Sequence, residues 1–486
     1  MARGRRGLAL TGFAVAQRRL GLRRGRLLRC RPRLRHPRAP RHAGGGGRPA
    51  GHPGPSRPGA NHTSEQHPWF VDSRSSRAAA HRDFYVWADP GPDGGRPNNW
   101  IAQFGGPAWT LDEGTGQYYL HNFTREQPDL NWWNPAVHRA FEEIIRFWWD
   151  RGVAGFRIDV CNMIVKDAEL RDNPPATGED SVLEQIMGQR FDYNGNRPEV
   201  HEILRGWRAL ADTYDPPRVL LGETYVHHLS MPPLLRRRHR RAAPGLQPAL
   251  AACRVLGRGP ARRGRGDRAD PARGAWPVWA GSNLDTSRAA TRWAQGHPGR
   301  IRCVVLALLT LRGTPVLYQG DEIGLPDAAL DREDLRDPIG VRYWPHATGR
   351  DPERSPLPWD DGPGRGITTG GRGTWLPMGT PPECNVAAQR ADPGSVLIFT
   401  RDLLALRRSN PDLHRGAYRS LASPPGTWAW RRGDGFATAL NLGGEESSVD
   451  GLTGSVALGT DRGRDGQPVA GRLVLGPGEG ALVRLA

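Results

Sequence analysis

Four short apolar segments, separated by helical segments, constrain the fold of this chain more than any other feature. They comprise residues 153–160, 218–224, 276–285 and 314–322, and each ends in polar or acidic side chains. Strands that alternate with helices are typical of parallel sheets, because a parallel connection needs a crossover that is usually helical. The alternation therefore predicts an α/β architecture. One such architecture is the (β/α)₈ barrel, in which functional side chains lie at the C-terminal ends of the strands.

The helical segments carry apolar residues at intervals of three and four. Residues 134–151 are the clearest case, with Asn134 placed to cap the helix and Pro135 at its first position. Further helices are predicted over residues 198–214, 300–312 and 402–409. Together with the strands, these helices fill most of the middle of the chain, as a barrel requires.

Composition divides the chain into three regions. Residues 1–58 are dense in Arg, Pro and Gly and lack any sustained period, so we expect them to be disordered or out of frame. Residues 59–410 hold the predicted catalytic barrel, with an irregular aromatic-rich insertion at 65–133 and a second anomalous block at 231–274. Residues 411–486 change to short alternating segments with Gly and Pro turns, which predict a small antiparallel β domain.

The net charge of +18 is concentrated in two places. Residues 1–60 carry 16 Arg and no acid, residues 231–274 carry 12 Arg against two Asp, and the remainder has a net charge of −8. Such Arg blocks fit electrostatic binding of phosphate groups, so a basic nucleic-acid-binding protein is one interpretation of the chain. No RRM, KH or zinc pattern accompanies the blocks, and the acidic body favours an enzyme without a nucleic-acid partner.

The five cysteines are widely spaced: Cys30, Cys161, Cys253, Cys303 and Cys384. Without a CxxC or Cys/His cluster, they support neither a disulfide framework nor a zinc site. No apolar run approaches the ~20 residues needed to span a bilayer. Residues 1–17 loosely imitate a secretory signal, but their apolar part is short and interrupted. We expect a cytoplasmic monomer without a membrane partner.

Acidic side chains lie at the ends of all four predicted strands. Asp159 follows FRI, Glu223 follows LLG, Asp285 follows SNL, and Asp321–Glu322 follows YQG. A single acid in this position is usually a helix cap or a loop ion pair, but four in register indicate a shared acidic mouth. Cleavage of a glycosidic bond with retention needs two carboxyl groups ~5 Å apart. Arg157 points to the same face of the strand as Asp159 and would hold that carboxylate ionised.

Five motifs occur in order along the chain: NHTS at 61–64, QPDLN at 127–131, GFRIDV at 155–160, GET at 222–224 and SNLD at 282–285. Together they resemble the ordered sequence regions of the α-amylase superfamily of glycoside hydrolases. QPDLN is similar to the variant found in the oligo-1,6-glucosidase and α-glucosidase branch. The resemblance implies a (β/α)₈ TIM-type barrel followed by a C-terminal antiparallel β domain.

The resemblance also implies an activity and a site. The implied reaction is retaining hydrolysis of α-glucosidic bonds in oligosaccharides or disaccharides. By position in the motifs, Asp159 resembles the nucleophile, Glu223 the general acid/base and Asp285 the transition-state stabiliser. His62 and Arg157 would line the glucose-binding subsite.

Substrate preference and cofactor use stay open at this point. Val160 is similar to the residue of members that prefer α-1,6 links, but α-1,4 links are not excluded. A transferase or isomerase acting on trehalose or sucrose would use the same glycosyl-enzyme intermediate. Tyr85, Trp109 and Trp132 are candidates either for stacking on sugar rings or for core packing. We expect that no cofactor is required. Calcium occurs in the superfamily, but the N-terminal loop that would supply its ligands is not recognisable in this sequence.

The sequence departs from the family pattern in several places. Arg57, four residues before Asn61, stands where the family has an apolar strand ending in Asp. Leu284 stands where the family has His, and leucine cannot donate a hydrogen bond to substrate. The block 231–274 replaces the sixth strand and its flanking helices. We hypothesise that this block and residues 1–58 are GC-rich coding sequence translated out of frame, which would leave the barrel incomplete or disrupted.

This hypothesis predicts a better strand pattern in another reading frame across codons 40–65 and 228–278. A shifted frame should encode apolar strands that end in acids, because those are the elements that a parallel sheet needs here. Sequencing this part of the gene and translating it in all three frames tests the prediction. If neither shifted frame yields such strands, the two blocks are genuine parts of the protein.

Overall fold

The computed structural model describes six stretches of the chain: residues 9–10, 59–180, 182–223, 251–255, 276–368 and 373–486. The chain divides into two compact units, residues 1–224 (unit 1) and 225–486 (unit 2). Most of the two anomalous blocks, 1–58 and 231–274, lies outside the described stretches. The out-of-frame hypothesis therefore stays a prediction.

Unit 1 contains, among its described residues, six strands and four helices. They are β1 (Ala9–Leu10), α1 (Pro68–Ser73), β2 (Trp87–Ala88), β3 (Trp109–Asp112), β4 (Gln117–Leu120), α2 (Pro135–Asp150), β5 (Gly155–Ile158), α3 (Val182–Met187), α4 (Val200–Asp212) and β6 (Val219–Gly222). Helices α2 and α4 agree within two residues with the helices predicted at 134–151 and 198–214. Strands β5 and β6 lie inside the first two predicted strands.

The parallel pair β5–β6 is the centre of unit 1. Its register runs from Gly155 opposite Val219 to Ile158 opposite Gly222. The strands approach so closely that a Cβ atom on Gly155 would lie 2.2 Å from the Val219 carbonyl oxygen. On the other edge of β5, β1 adds two residues of parallel backbone pairing. The residues that follow β5 and β6 therefore emerge side by side at one edge.

Helices α2 and α4 pack through aromatic side chains. The Asn134 side chain caps α2 by accepting a hydrogen bond from the Ala136 amide at 2.9 Å. Apolar residues at helical spacing are buried on both helices, namely Val137, Phe141, Ile145 and Trp149 on α2 and Val200, Ile203, Trp207, Leu210 and Ala211 on α4. Trp132 contacts both helices, with ring centroids 4.8 Å from Phe141 and 5.5 Å from Trp207.

The segment at 65–133 is more regular than the sequence predicts. Strands β2, β3 and β4 form a small antiparallel sheet in the order β2–β4–β3. Its core consists of Trp100, Ala102, Ala108, Trp109 and Leu120. The sequence gives no sign of these strands, because strands of two to four residues are too short to show a clear alternating pattern.

Unit 2 contains, within its described ranges, nine strands and six helices. They are β7 (Ala251–Val255), β8 (Trp276–Ala280), α5 (Ala289–Arg292), α6 (Pro298–Thr310), β9 (Thr314–Val316), α7 (Pro338–Tyr343), α8 (Val386–Ala391), α9 (Val396–Ser409), α10 (Pro411–Arg415), β10 (Tyr418–Ser420), β11 (Thr427–Arg432), β12 (Phe436–Asn441), β13 (Ser447–Gly459), β14 (Pro468–Leu475) and β15 (Gly480–Leu485). None of the helices in the described parts of either unit is both long and apolar enough to cross a membrane.

The strands at the start of unit 2 agree only in part with the predicted parallel sheet. Strand β8 pairs in parallel with β9, but β7 pairs antiparallel with β8. The sequence predicts no strand within the anomalous block 231–274, so β7 adds to the four predicted strands. Unlike those four strands, β7 does not end in an acid.

Strands β10 to β15 form one antiparallel sheet in the order β10–β11–β12–β15–β13–β14. This sheet confirms the predicted C-terminal β domain. One of its faces packs against α6 and α9, around a buried cluster that includes Phe399, Leu403, Trp428, Trp430 and Leu440. The domain is therefore joined to the preceding helices by a continuous apolar core.

Two buried arginines join the C-terminal end of α6 to later elements. Arg407 on α9 donates to the carbonyl oxygens of Leu309 at 2.6 Å and Gly313 at 2.7 Å. Arg432 on β11 donates to the carbonyl oxygen of Thr310 at 2.5 Å. The last carbonyls of a helix have no partner within it, and cations are favoured at that end. Burial lowers the pKa of Arg432 to about 10, so it stays charged at neutral pH.

Replacing two glycines of unit 1 by alanine should change stability in opposite directions. Gly155→Ala should lower the free energy of unfolding by about 1–3 kcal/mol, because the new methyl group overlaps β6. Gly206→Ala, in α4 with open space around it, should raise that free energy by about 0.5–1 kcal/mol. Denaturant unfolding of both variants measures the difference. A neutral Gly155→Ala would mean that β5 and β6 lie farther apart.

Candidate active site

One guanidinium group contacts both of the first two predicted catalytic acids. Arg157 Nη1 lies 2.6 Å from Asp159 Oδ1, and Arg157 Nη2 bonds to Glu223 Oε1. The side chains of Arg157, Asp159 and Glu223 are 17%, 13% and 8% exposed. The structure thus brings three of the five predicted site residues into one charge-assisted hydrogen-bond network.

Backbone contacts fix Glu223 at the end of its strand. The Glu223 amide donates to the Ile158 carbonyl at 2.9 Å, and the Cys161 amide donates to the Glu223 carbonyl at 2.9 Å. Val160 has a φ of +36°, a strained conformation for a β-branched residue. Its amide donates to Glu223 Oε2 at 3.2 Å. The sharp turn after Asp159 therefore gives Glu223 a backbone donor in addition to the guanidinium.

Burial raises the pKa of Glu223 to about 7, and the negative charge of Asp159 adds to the rise. Arg157 acts in the opposite direction, because a nearby cation favours the ionised carboxylate. Burial is the larger effect, so a substantial fraction of Glu223 is protonated near neutral pH. A carboxyl group in this state can both donate and accept a proton, which is what a general acid/base needs.

His62 is the fourth predicted site residue of unit 1. Its two ring nitrogens lie 3.2 Å from Asn61 Nδ2 and 2.8 Å from Gln127 Nε2. Burial lowers the pKa of His62, although the charges of Asp129 and Asp159 raise it. The ring is therefore neutral at neutral pH. Both ring nitrogens of His62 thus have a side-chain partner, one in Asn61 and one in Gln127.

A buried ion pair next to Asn61 is a feature that the sequence patterns missed. Lys166 Nζ lies 2.9 Å from Asp129 Oδ2 and donates to Asn61 Oδ1 at 2.7 Å. Asn61 Nδ2 in turn donates to Asp129 Oδ1 at 3.0 Å. Lys166 and Asp129 therefore hold the residue that precedes His62. One feature of the sequence sets Lys166 apart: it is the only lysine, and the other 67 of the 68 Lys and Arg residues are arginine.

The described residues do not fit a calcium site. Asp129 and Asn61 offer oxygen atoms of the kind that calcium prefers, but the cation that they contact is the Lys166 ammonium group. Within the stretches that the structure describes, no three His, Cys, Asp or Glu side chains are grouped as metal ligands would be. The N-terminal loop that would supply calcium ligands lies outside those stretches.

Tyr85, Trp109 and Trp132 belong to the core. Their exposed fractions are 1%, 3% and 3%. The Tyr85 hydroxyl bonds to the Thr63 hydroxyl at 2.7 Å, and Trp109 Nε1 donates to Asn98 Oδ1 at 2.7 Å. Of the two interpretations that the sequence leaves open, core packing is right for all three.

Asp285, the fifth predicted site residue, belongs to unit 2. Arg350 Nη1 and Arg354 Nη2 contact the same oxygen atom of Asp285, Oδ1, at 2.9 and 2.8 Å. Arg354 Nε also donates to the Leu284 carbonyl at 2.7 Å, and the Leu284 side chain is 37% exposed. Sequence patterns give no sign of the two arginines, because they follow Asp285 by 65 and 69 residues in an Arg-rich chain.

The fourth strand-end acid, Asp321, stabilises a turn. Its carboxylate accepts from Ser282 Oγ at 2.7 Å and from the Tyr318 amide at 2.9 Å. Burial raises the pKa of Asp321 to about 6. Ser282 Oγ also accepts from the Ala289 amide at 2.8 Å. Asp321 therefore holds Ser282, which links the SNLD turn to the start of α5.

Comparison with known proteins identifies the family. The family described as the α-amylase catalytic domain matches residues 60–238 and 267–416, more than half of the chain. The chain belongs to the α-amylase family. The match begins just after the first anomalous block and leaves out residues 239–266, which lie inside the second. It confirms the resemblance carried by the five motifs.

Two curated relatives support a closer placement of this α-amylase family member. A probable α-glucosidase of Rhizobium meliloti (strain 1021) is 40% identical over 373 residues, which cover 73% of this chain and 66% of the relative. An oligo-1,6-glucosidase of Parageobacillus thermoglucosidasius is 34% identical over 415 residues, which cover 74% of this chain and 68% of the relative. The chain thus spans about two thirds of the length of these relatives.

Solved structures of the α-amylase family also match. An α-glucosyl transfer enzyme, XgtA, has a TM-score of 0.70 and 35% identity, covering 87% of this chain and 82% of the other. The trehalulose synthase MutB of Pseudomonas mesoacidophila MX-45 has a TM-score of 0.67 and 26% identity, covering 88% and 82%. The curated relatives confirm the predicted relationship to the α-glucosidase and oligo-1,6-glucosidase branch, and both solved structures are α-amylase family enzymes.

Replacing Glu223 by glutamine should remove a pH dependence of stability. The pKa of Glu223 is about 7 in the folded chain and 4.5 ordinarily, so between these values the folded chain holds a proton that the unfolded chain has lost. The free energy of unfolding should therefore fall by about 1–3 kcal/mol as the pH rises from about 4.5 to about 7.

Unfolding curves at several pH values check this expectation. In Glu223→Gln the free energy of unfolding should no longer fall over this pH range. In the control Glu202→Gln, at an exposed position of α4, it should fall as in the wild-type chain. An unchanged slope in Glu223→Gln would give Glu223 an ordinary pKa and contradict the electrostatics described above.

Proposed function

We propose that the chain is an exo-acting α-glucosidase that hydrolyses short α-linked oligosaccharides with retention of configuration. The observation that carries the proposal is the contact of one guanidinium, Arg157, with both Asp159 and Glu223. Carboxyl groups that share a guanidinium lie close together. This favours the ~5 Å separation of retaining glycosidases over the ~6.5–9.5 Å that inverting enzymes need for a water molecule. The names of the curated relatives support the same substrate class.

The proposed reaction has two steps. In the first, Asp159 attacks the anomeric carbon and forms a glycosyl ester, while protonated Glu223 gives its proton to the oxygen of the departing sugar. In the second, ionised Glu223 takes a proton from water, and the water oxygen attacks the anomeric carbon and releases Asp159. Each step inverts the anomeric centre, so the glucose product has the α configuration of the substrate.

The charge of Asp159 supports the change in role of Glu223 between the two steps. In the free protein, burial and the negative charge of Asp159 both raise the pKa of Glu223, which favours the acid form. Formation of the ester removes the charge of Asp159, and this charge is one of the two causes of the raised pKa of Glu223. The pKa of Glu223 should then fall, since Arg157 remains in place. The same carboxyl group thus becomes a base when a base is needed.

We assign the remaining roles by position in the family motifs. Asp285 would stabilise the positive charge that develops on the sugar ring. His62 and Arg157 would bind the glucose unit. The exposed Leu284 side chain cannot supply the hydrogen bond that a histidine would give at its position.

We infer further that the parallel strands belong to a (β/α)₈ barrel. The parallel pairs β5–β6 and β8–β9 and the catalytic-domain match support this inference. The antiparallel strand β7 supports the expectation that the barrel is incomplete or disrupted within the block 231–274.

Glucosyl transfer is the second candidate function. The similarity to an α-glucosyl transfer enzyme and to a trehalulose synthase favours it. Hydrolysis and transfer share the glycosyl-enzyme intermediate and differ in whether water or a sugar hydroxyl attacks it. Incubation with maltose, isomaltose and sucrose separates the two functions. Release of free monosaccharides alone indicates hydrolysis, whereas longer or isomeric sugars indicate transfer.

Two substitutions test the assignment of the acids. Asp159→Asn should lower kcat by several orders of magnitude, because an amide cannot form the ester intermediate. Glu223→Gln should impair the hydrolysis of maltose far more than that of an activated aryl α-glucoside, whose leaving group needs no proton. Values of kcat and KM for both substrates measure these effects, with Glu202→Gln as the control.

Three results would contradict the proposal. Near-normal turnover of the aryl glucoside by Asp159→Asn would remove this residue from the role of nucleophile. Equal losses on both substrates in Glu223→Gln would argue against an acid/base role. NMR detection of β-glucose as the first product would exclude retention.

A further inference from the structure

The two arginines at Asp285 are themselves held in different ways. Arg354 is held by the backbone next to Asp285, since its Nε donates to the Leu284 carbonyl. Arg350 is held by another acid, because its Nε and Nη2 contact Asp337 Oδ1 at 3.0 and 2.5 Å. The guanidinium of Arg350 therefore connects the carboxylate of Asp285 with the carboxylate of Asp337.

Asp337 is enclosed and binds Arg350 at more than one point. Its side chain is 0% exposed. While Asp337 Oδ1 accepts from the guanidinium, Oδ2 accepts from the Arg350 backbone amide at 3.0 Å. Loss of these contacts would leave the buried charge of Asp337 without a counter-ion, which is unfavourable. The side chains of Asp337 and Arg350 are therefore held in these positions.

A second buried aspartate fixes the position of Asp337. Asp351 Oδ2 accepts from the backbone amides of Arg336 at 2.5 Å and Asp337 at 2.7 Å. Gly349, with a φ of +69°, allows the close approach, because a Cβ atom there would lie 2.4 Å from Asp337 Oδ2. The two backbone segments that flank Arg350 and Asp337 therefore hold each other, and the side chain of Arg350 extends from them to Asp285.

We propose that Asp337 is a positioning residue, which sets the orientation and the effective charge of the Asp285 carboxylate through Arg350. The proposal rests on the role of transition-state stabiliser given to Asp285 above. A carboxylate stabilises developing positive charge best when its orientation is fixed before the reaction. Arg350 is a long side chain with several rotatable bonds, and its contacts with Asp337 remove that freedom.

The charges of the group support the same role. Burial lowers the pKa of Arg350, but its contacts with Asp337 and Asp285 outweigh burial and raise the pKa above its ordinary value. The guanidinium of Arg350 thus forms ion pairs with two carboxylates. If Asp337 were neutral, the charge of Arg350 would act more strongly on Asp285. The carboxylate of Asp285 would then be a weaker partner for a positively charged transition state.

Asp337→Asn tests the proposal because it keeps the shape of the side chain and removes its charge. In the full chain, kcat should fall by about tenfold to hundredfold, the loss typical of a displaced catalytic group. KM should change by less than about twofold, since the ground-state sugar carries no charge. Binding of the cationic iminosugar 1-deoxynojirimycin should weaken by at least about fivefold, whereas binding of neutral glucose should be unchanged.

A double-mutant cycle separates positioning from an independent effect on the fold. In an Arg350→Gln background, Asp337→Asn should lower kcat by less than about twofold, because its effect passes through the guanidinium. Equal losses in the wild-type and Arg350→Gln backgrounds would overturn the proposal, since Asp337 would then act without Arg350.

Two control variants accompany these measurements. Asp334→Asn makes the same chemical change three residues before Asp337, and it should leave kcat unchanged. Asn441→Ala removes four hydrogen bonds from a buried side chain in the C-terminal sheet. It reports how much kcat changes when the chain loses stability away from Asp285. All rates are measured at a temperature at which every variant is folded.

Asp285→Asn decides which proposal fails. If this variant keeps kcat within about tenfold, the catalytic role of Asp285 is wrong, and so is the inference about Asp337. If Asp285→Asn is inactive, but Asp337→Asn keeps kcat within about twofold and binds 1-deoxynojirimycin normally, only the inference about Asp337 is overturned.

Discussion

The close approach of β5 and β6 is the constraint on which the candidate active site depends. Gly155 and Gly222 permit it, since a Cβ atom would overlap the neighbouring backbone at the first and lie 2.9 Å from Cys161 Sγ at the second. In-register parallel pairing then brings two acids to one edge, where their negative charges repel each other. A cation or a proton must reduce that repulsion. Arg157 provides the cation, and the raised pKa of Glu223 allows the proton.

Buried charges follow one physical rule in both units. Transfer of an isolated ion into a medium of low dielectric constant costs on the order of 20 kcal/mol, while one hydrogen bond contributes about 1 kcal/mol. A buried ion therefore needs a counter-ion as well as hydrogen bonds. Lys166 has Asp129 and the amide of Asn61, and Arg350 has Asp285 and Asp337. Removal of one member from such a group has consequences for all the others.

The parts of the fold with strong local signals could be predicted from the sequence. Helix α2 has a capping residue and an apolar stripe of four turns, and the acids Asp159 and Glu223 directly follow apolar strands. Strands β2 to β4 are too short to show a period, and the antiparallel pairing of β7 depends on long-range contacts that no local pattern encodes. The same holds for the contacts of Arg350 with Asp285 and Asp337, because they depend on how distant loops pack. The compartment and the oligomeric state stay predictions.

The scarcity of lysine has a consequence for chemical modification. All other basic residues counted with lysine are arginines, which carry no amine. Reagents that acylate side-chain amines therefore have one target, Lys166, and its side chain is buried. Burial lowers the pKa of the Lys166 ammonium group, and the charge of Asp129 acts in the opposite direction. An acylating reagent must in any case reach the nitrogen. Opening of the surrounding structure breaks the contact with Asp129 and exposes the amine. Acylation of Lys166 therefore proceeds through such openings, and its rate reports how often unit 1 opens in solution.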